Sequence, residues 1–414
     1  MPRGAAVLCS PNLPEQTGQL VTTTLSARPV GVRETNAATV LDVIRQAGPL
    51  SRAAIERRVA LSPPTVSRQV AALIELGIVR EVPELTHSGA IGRPRVPVDI
   101  DETALAACGV HIGVSTTTFG LADLRGRLLA DEHLPTPGGG PEDVLDFLAS
   151  RLAVFLRRRP QRSVVGIGLV TGGRVDPDRG VVDHDRLGWY RVPARELLSA
   201  ATGHPVHVDG HLPAMAAAEL LFGLRQTPRS LLYCYARQVV GVALVSGGRL
   251  HRGPGRGSDI AHLPVGTDVP CPCGRTGCLE VSVSEQTVLA EAVADGVIAR
   301  PDIRLLHAAA AAGDPGAARI LTARARALGR AIAAVRDVVD PDLVVLGGQA
   351  ITDAPQQLDE LRHSFADHTA LPGAPPPQVT RFGSDVQAVA ACTSVLAHLY
   401  DRPFALFTAA RRKS

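Results

Sequence analysis

A chain of 414 residues, 45% hydrophobic and 20% charged, carries enough apolar side chains for two or three domains of about 150 residues each, which excludes a wholly disordered chain. A net charge of +3 is too small to demand nucleic acid or membrane, so any such partner has to be read from local sequence. Met1-Pro-Arg-Gly-Ala-Ala-Val-Leu has too short an apolar run for a secretion signal, no apolar segment is long enough to span a bilayer, and the cysteine count of 7 is odd; these predict a soluble protein of the reducing cytoplasm.

Residues 1–32 are rich in Pro, Thr and Ser without periodicity and predict a mobile tail. From Asn36 the pattern becomes helical: Val40, Leu41 and Ile44 share a face, and Gly48-Pro49 ends the helix. Ser51 is placed to cap a second helix, Arg52 to Val59, with Ile55 and Val59 facing inward. After a turn at Leu61-Ser62, Ser62 is placed to cap a third helix that starts at Pro63, buries Val66, Val70, Leu73 and Ile74, and closes at Gly77. Two short helices joined by a tight turn are the helix-turn-helix arrangement.

The face opposite that core carries Thr65, Ser67 and Arg68, side chains suited to bases and phosphates in a major groove. Ile78 to Val82 and Arg95 to Ile100 read as two strands of a wing, and its return arm, Gly92-Arg93-Pro94-Arg95, offers two guanidinium groups to a narrow minor groove. Such heads also serve as protein-binding modules. Nine Arg against six Asp and Glu over residues 33–98 only lean toward DNA, and the turn and arm together assign residues 33–100 to it.

From Ala104 the chain alternates apolar strand-like runs (Cys108 to Gly113, Val164 to Val170, Leu231 to Val245, Leu343 to Leu346) with Ala/Leu/Arg-rich helical stretches. That alternation predicts an α/β architecture over residues 104–400, followed by a tail over 401–414. Gly and Pro clusters at Thr136 to Pro141, Thr171 to Gly180 and Gly253 to Ser258 read as loops. No tandem repeat is visible, although two related lobes can share a fold below the level that sequence shows.

Within this body, Cys271-Pro-Cys273-Gly-Arg-Thr-Gly-Cys278-Leu-Glu280 carries the strongest chemical signal. Cys271 and Cys273 are too close for an unstrained disulfide, yet both thiolates can face one zinc ion. His262 lies just upstream and completes a Cys3His set over residues 262–280, with no position left for a catalytic water. The site reads as a structural Zn2+ centre, against the alternatives of buried free thiols or a secreted disulfide framework.

From about Asn36 to Leu399 the chain resembles the ROK (repressor, open reading frame, kinase) family. The resemblance rests on Leu50-Ser-Arg through Leu61-Ser-Pro-Pro-Thr-Val-Ser-Arg, Gly92-Arg-Pro, Gly166-Ile-Gly168, Leu187-Gly-Trp189, Ala216-Ala-Ala-Glu219, His262, the Cys271 to Glu280 motif and Val345-Leu-Gly-Gly348. It implies the two-lobed α/β fold of the sugar kinase, heat-shock protein and actin superfamily behind a winged helix-turn-helix. Because the family's regulators alone carry that head, it also implies a transcription factor. For the sugar pocket it implies Asp259 in place of the family's glutamate, His262, Glu280, and Gly210-His211 where kinases carry Asn-Asp.

The departures argue against a kinase. His111-Ile-Gly113-Val-Ser115 replaces the family's Asp-x-Gly-x-Thr phosphate loop, and Ala236-Arg237-Gln238-Val-Val-Gly241 replaces its second glycine-rich loop, so bulky side chains stand where phosphates approach backbone. His211 stands where the catalytic carboxylate belongs; an imidazole can act as a base, but phosphoryl transfer depends chiefly on the two degraded loops. The expectation is a sugar-responsive repressor without catalytic residues, a homodimer or tetramer on a pseudo-palindromic operator in double-stranded DNA, whose effector is a sugar or a phosphorylated or acidic derivative. The rivals are a sugar kinase with an appended head, and a regulator with an empty pocket controlled by a protein partner.

Overall fold

The spacing of Val40, Leu41 and Ile44 winds the first described segment into α1 (Val32–Ala47), with all three side chains buried. The computed structural model describes residues 31–85, 96–224, 227–237, 239–252 and 260–407. Ser51 Oγ accepts from the Ala54 amide at 3.3 Å and starts α2 (Arg52–Glu56), which ends before the expected Val59. In α3 (Pro63–Glu75), Val66, Val70 and Leu73 face the core. Ser62 does not cap α3 as expected: its Oγ lies 2.9 Å from Thr65 Oγ1 and makes no bond to the helix backbone. Gly77, at φ +70°, takes the chain out of the helix as predicted. Strand β1 (Val79–Glu81) pairs antiparallel with β2 (Val98–Ile100), the base of the wing, both shorter than their sequence runs. The wing arm, including Arg93 and Arg95, lies outside the described residues.

The α/β body has two lobes. In the first, β3 (Leu105–Ile112), β4 (Thr116–Ala122) and β5 (Leu128–Pro135) form an antiparallel meander. Helix α4 (Pro141–Arg157) leads to β6 (Ser163–Thr171), parallel to β3. A small antiparallel flap of β7 (Arg174–Asp176), β8 (Val181–His184) and β9 (Trp189–Val192) then interrupts what the sequence reads in part as loop. Helix α5 (Ala194–Thr202) precedes β10 (Val206–Gly210), parallel to β6. Helix α6 (His211–Ala218) crosses toward the second lobe and ends in a π-helical turn, Glu219–Gly223.

The second lobe repeats the pattern. Strands β11 (Ser230–Ala236), β12 (Val240–Ser246) and β13 (Arg249–Leu250) form the meander. After α7 (Leu279–Val283), α8 (Glu285–Ala294), α9 (Ile303–Ala311) and α10 (Pro315–Val339) comes β14 (Leu343–Gly347), parallel to β11. Then α11 (Gln349–Thr352) and α12 (Leu358–His368) lead to β15 (Gln378–Val379), parallel to β14. The sheet orders β5-β4-β3-β6-β10 and β13-β12-β11-β14-β15 are the same arrangement twice.

The last helix, α13 (Val386–Asp401), returns to the first lobe and lies directly on its strands. It comes that close because Gly109 and Gly168 sit beneath it: a Cβ on either would collide with the backbone of Ala391 or Cys392. Of the expected tail over 401–414, Asp401 belongs to α13 and Leu406 is buried in a core shared with the head, while residues 408–414 lie outside the described residues. That core joins Leu41, Ile44, Ile55 and Leu73 of the head to Leu105, Ala122 and Leu124 of the first lobe and Leu396, Leu399 and Tyr400 of α13. The head is packed onto the body, not tethered to it.

Candidate functional site

The four predicted metal ligands converge. His262 Nδ1 lies 3.6 Å from Cys271 Sγ, Cys273 Sγ lies 3.7 Å from Cys278 Sγ, and all four ligand atoms fall within 4.8 Å of one another. Tetrahedral zinc with bonds of about 2.0–2.3 Å sets its ligand atoms roughly 3.5–3.8 Å apart, so this donor set fits the ion. The loop holds its shape through Gly274 and Gly277, at φ +87° and +69°, with Gly274 N donating to Cys271 O at 3.0 Å. A hydrogen bond from Arg275 pulls the Cys273 thiol down to about 6, toward the thiolate a metal requires. Directly after the loop, Glu280 N donates to Ala261 O at 2.9 Å, which fixes Glu280 beside His262.

Both residues line a cavity of about 710 Å³ between the lobes. His111 from the end of β3 and His211 from the start of α6 form its floor, their rings parallel to within 3° at 5.9 Å. Burial pushes His211 down to about 4, with His184 adding to it; burial, then His211 and Arg237, push His111 down to about 3. Both are neutral imidazoles at pH 7. His111 Nε2 and Arg237 Nε are buried without a hydrogen-bond partner among the described residues.

The structure places His211, His262 and Glu280 on one cleft; Asp259 lies outside the described residues. It adds residues that sequence reasoning missed. Asp209, immediately before Gly210-His211, is gripped by Arg252 through two bonds of 2.6 and 2.7 Å. Arg186, from the turn between β8 and β9, reaches Glu280 Oε1 at 3.3 Å. Both pairs cross from one lobe to the other. The position of Asp209 beside the substituted pair was a usable signal; nothing local marks Arg186 or Arg252.

On the head, Ser67 and Arg68 are exposed on α3 and Thr65 is half-buried, on the face turned away from Val66, Val70 and Leu73. Arg68 is central on the solvent side of α3, with Thr65 and Ser67 at its two edges.

A model of the ROK family matches residues 107–388, and one of the MarR family matches residues 33–87. A transcriptional regulator of Mycobacterium tuberculosis is 41% identical over 89% of this chain and 86% of its own length. The DNA-binding transcriptional dual regulator NagC of Escherichia coli is 30% identical over 79% of this chain and 83% of its own. Among solved structures, a ROK family transcriptional regulator, a homologue of the Escherichia coli MLC protein, superposes with a TM-score of 0.78 at 25% identity, covering 92% of this chain and 99% of that one.

Proposed function

This chain belongs to the ROK family, and from that premise we propose that it is a sugar-responsive DNA-binding repressor of the cytoplasm whose body senses a sugar or sugar phosphate and does not phosphorylate it. The observation that carries the reading is the shared core: a helix-turn-helix head whose exposed face bears Ser67 and Arg68 is packed onto the lobe that forms one wall of the cleft. Ligand-driven movement of the lobes therefore reaches the DNA-reading face.

The cleft supports sensing over catalysis. His211, buried and neutral, stands where the resemblance calls for the catalytic carboxylate, and the nearest carboxylate on that strand, Asp209, has both oxygens engaged by Arg252. His111 is buried where the resemblance calls for the acidic residue of the metal-nucleotide site. Incubation with ATP and a panel of hexoses is expected to yield no sugar phosphate; turnover at about 1 per second or faster would make the protein a kinase instead.

For DNA, a homodimer places two α3 helices on a pseudo-palindrome, with half-sites about one helical turn or a multiple apart. Thr65, Ser67 and Arg68 enter the major groove, and Arg93 and Arg95 the flanking minor groove. Arg68→Ala is expected to weaken operator binding by about 1–3 kcal/mol, at one base position if Arg68 reads a guanine and on all sequences alike if it holds a phosphate. Footprints on the protein's own upstream DNA, with and without N-acetylglucosamine, glucose and their 6-phosphates, test the whole reading. Operator affinity that survives deletion of residues 33–98 would sink it.

His262, Cys271, Cys273 and Cys278 hold one structural Zn2+, which ties the loop down and so sets Glu280 and the second face of the His262 ring against the cleft. Metal analysis is expected to give one zinc per chain, lost in Cys273→Ser together with the response to effector. A full-length protein free of zinc would end this assignment.

A further inference from the structure

We propose that Arg186 determines the specificity of the cleft: it holds Glu280 in an internal ion pair across the opening, so the molecule that opens this contact is a polyol carrying its own carboxylate or phosphate. The inference rests on the sensing role proposed above and adds the ligand class. Glu280 is the carboxylate that a sugar hydroxyl would meet, and here Arg186 Nη2 already meets it at 3.3 Å. Neither side is adrift. The Arg186 turn ends in Gly188 at φ +67°, and its flap is anchored by Val182, Trp189 and Val192 in the first lobe's core, while Glu280 is fixed by its amide bond to Ala261.

The two cross-lobe pairs differ in what a ligand can do to them. Asp209–Arg252 is bidentate, with side chains 11% and 35% exposed, so a solute that enters the cleft has two short bonds to break there. Arg186–Glu280 makes one bond, with side chains 47% and 28% exposed, open to water and to whatever enters the cleft. A neutral sugar that takes Glu280 strips Arg186 of its anion. A sugar bearing an oxyanion exchanges partners without that loss: the guanidinium moves to the ligand's anion, and Glu280 accepts a hydroxyl. Arg174 on the same flap also lines the cleft, and no ion pair is recorded for it among the described residues, so a second guanidinium stands ready on the same wall.

Calorimetry on the full-length protein with glucose, glucuronate and glucose 6-phosphate tests this, because the three differ at one end of the same ring. In the wild type, the better of the two anionic ligands is expected to bind about tenfold or more tighter than glucose, and which of them wins separates a sugar acid from a sugar phosphate. In Arg186→Gln that ratio should shrink to within about threefold, with glucose gaining roughly two- to fivefold as its internal competitor disappears. An unchanged ratio in the variant, or glucose binding best to the wild type, overturns the proposal. Hydrogen exchange on the unliganded proteins reads the contact without any ligand. Faster exchange over 184–190 and 279–283 in Arg186→Gln is expected, and identical exchange overturns the latch even if no sugar binds. Faster exchange with no heat from any of the three supports the latch and overturns the sensing role.

Discussion

The head meets the first lobe mainly through hydrocarbon, with the Arg125–Asp99 ion pair beside it, whereas the two lobes meet across the cleft through charge. At the first junction Ile44, Leu73, Leu396 and Leu399 are each fully buried in one cluster, and the surrounding polar contacts, such as Tyr400 Oη donating to Leu124 O at 2.7 Å, are local. At the second, Arg252 and Arg186 cross water-accessible space to Asp209 and Glu280. Apolar burial resists displacement in every direction and is lost only by separating the surfaces, whereas half-exposed ion pairs are worth little and exchange partners readily. From that difference we expect head and first lobe to travel as one body and the second lobe to swing against them.

The largest effect expected from this contrast is at the junction. Leu399→Ala should cost about 2–5 kcal/mol, the range for an aliphatic side chain removed from a full core, and should weaken operator binding because the head loses its seat. Arg186→Gln, measured the same way by urea unfolding, should cost less than about 1 kcal/mol. If Leu399→Ala proved as mild as Arg186→Gln, or if the head melted separately in the wild type, head and lobe would not share a core.

The next effect sits where the two regions are linked. Helix α6 begins at the cleft with His211 and ends in the π turn, whose Leu221 carbonyl accepts from Arg45 of α1 and whose Phe222 ring lies 6.0 Å from that of Tyr400. In that turn Glu219 is buried, accepts from Thr380 Oγ1, and is pushed up from 4.5 to about 7 by burial, with Thr380 and Arg381 opposing the rise. A carboxyl raised in the folded state favours folding below its unfolded value and loses that contribution as pH climbs through the folded one. Wild-type stability relative to Glu219→Gln should therefore fall between about pH 4.5 and 7, by up to about 3 kcal/mol. His111 and His211 act in the opposite direction, since imidazoles held neutral by burial lose stability as pH drops below 6.5, but both proteins carry them and the difference cancels their share. Parallel stability curves for the two proteins from pH 4.5 to 8 would show that Glu219 is ionised throughout.

Much of the head and the convergence of the four candidate metal ligands were legible in the sequence, because their signals are local: helical spacing at Val40, Leu41 and Ile44, and thiols close together among glycines at Cys271, Cys273 and Cys278. What stayed hidden depends on distant partners. Leu231 to Val245 reads as one apolar run, yet it folds as two strands turning between Ala236 and Val240, because both are buried and neither shows the alternation of a half-exposed strand. The tail beyond Asp401 looked free since nothing local reveals that Leu406 fits beneath the head. Glu219 stood out only through resemblance, and its burial could not be read from its neighbours. Arg186 and Glu280, far apart along the chain, carry no sign of one another until the flap and the cysteine loop are folded face to face.

The smallest expected effect separates the two regions most cleanly, because it uses the solvent alone. Raising the salt concentration from about 0.05 to 0.5 M shortens the Debye length from about 14 to about 4 Å, which weakens a half-exposed ion pair, while burial of hydrocarbon is barely touched at such concentrations. The Arg186–Glu280 pair, half in water, should weaken by a few tenths of a kcal/mol. Hydrogen exchange over 184–190 and 279–283 should then quicken about twofold at most. Exchange in α1 and over 395–400 should hold steadier, because those amides lie against a hydrocarbon core whose Arg45–Asp42 ion pair is buried away from the salt. Asp209–Arg252 should resist as well, its two bonds being short and its carboxylate shielded. Equal quickening at the junction and the cleft would mean that one global opening exposes both, and the division into a welded seam and a sliding one would have to be abandoned.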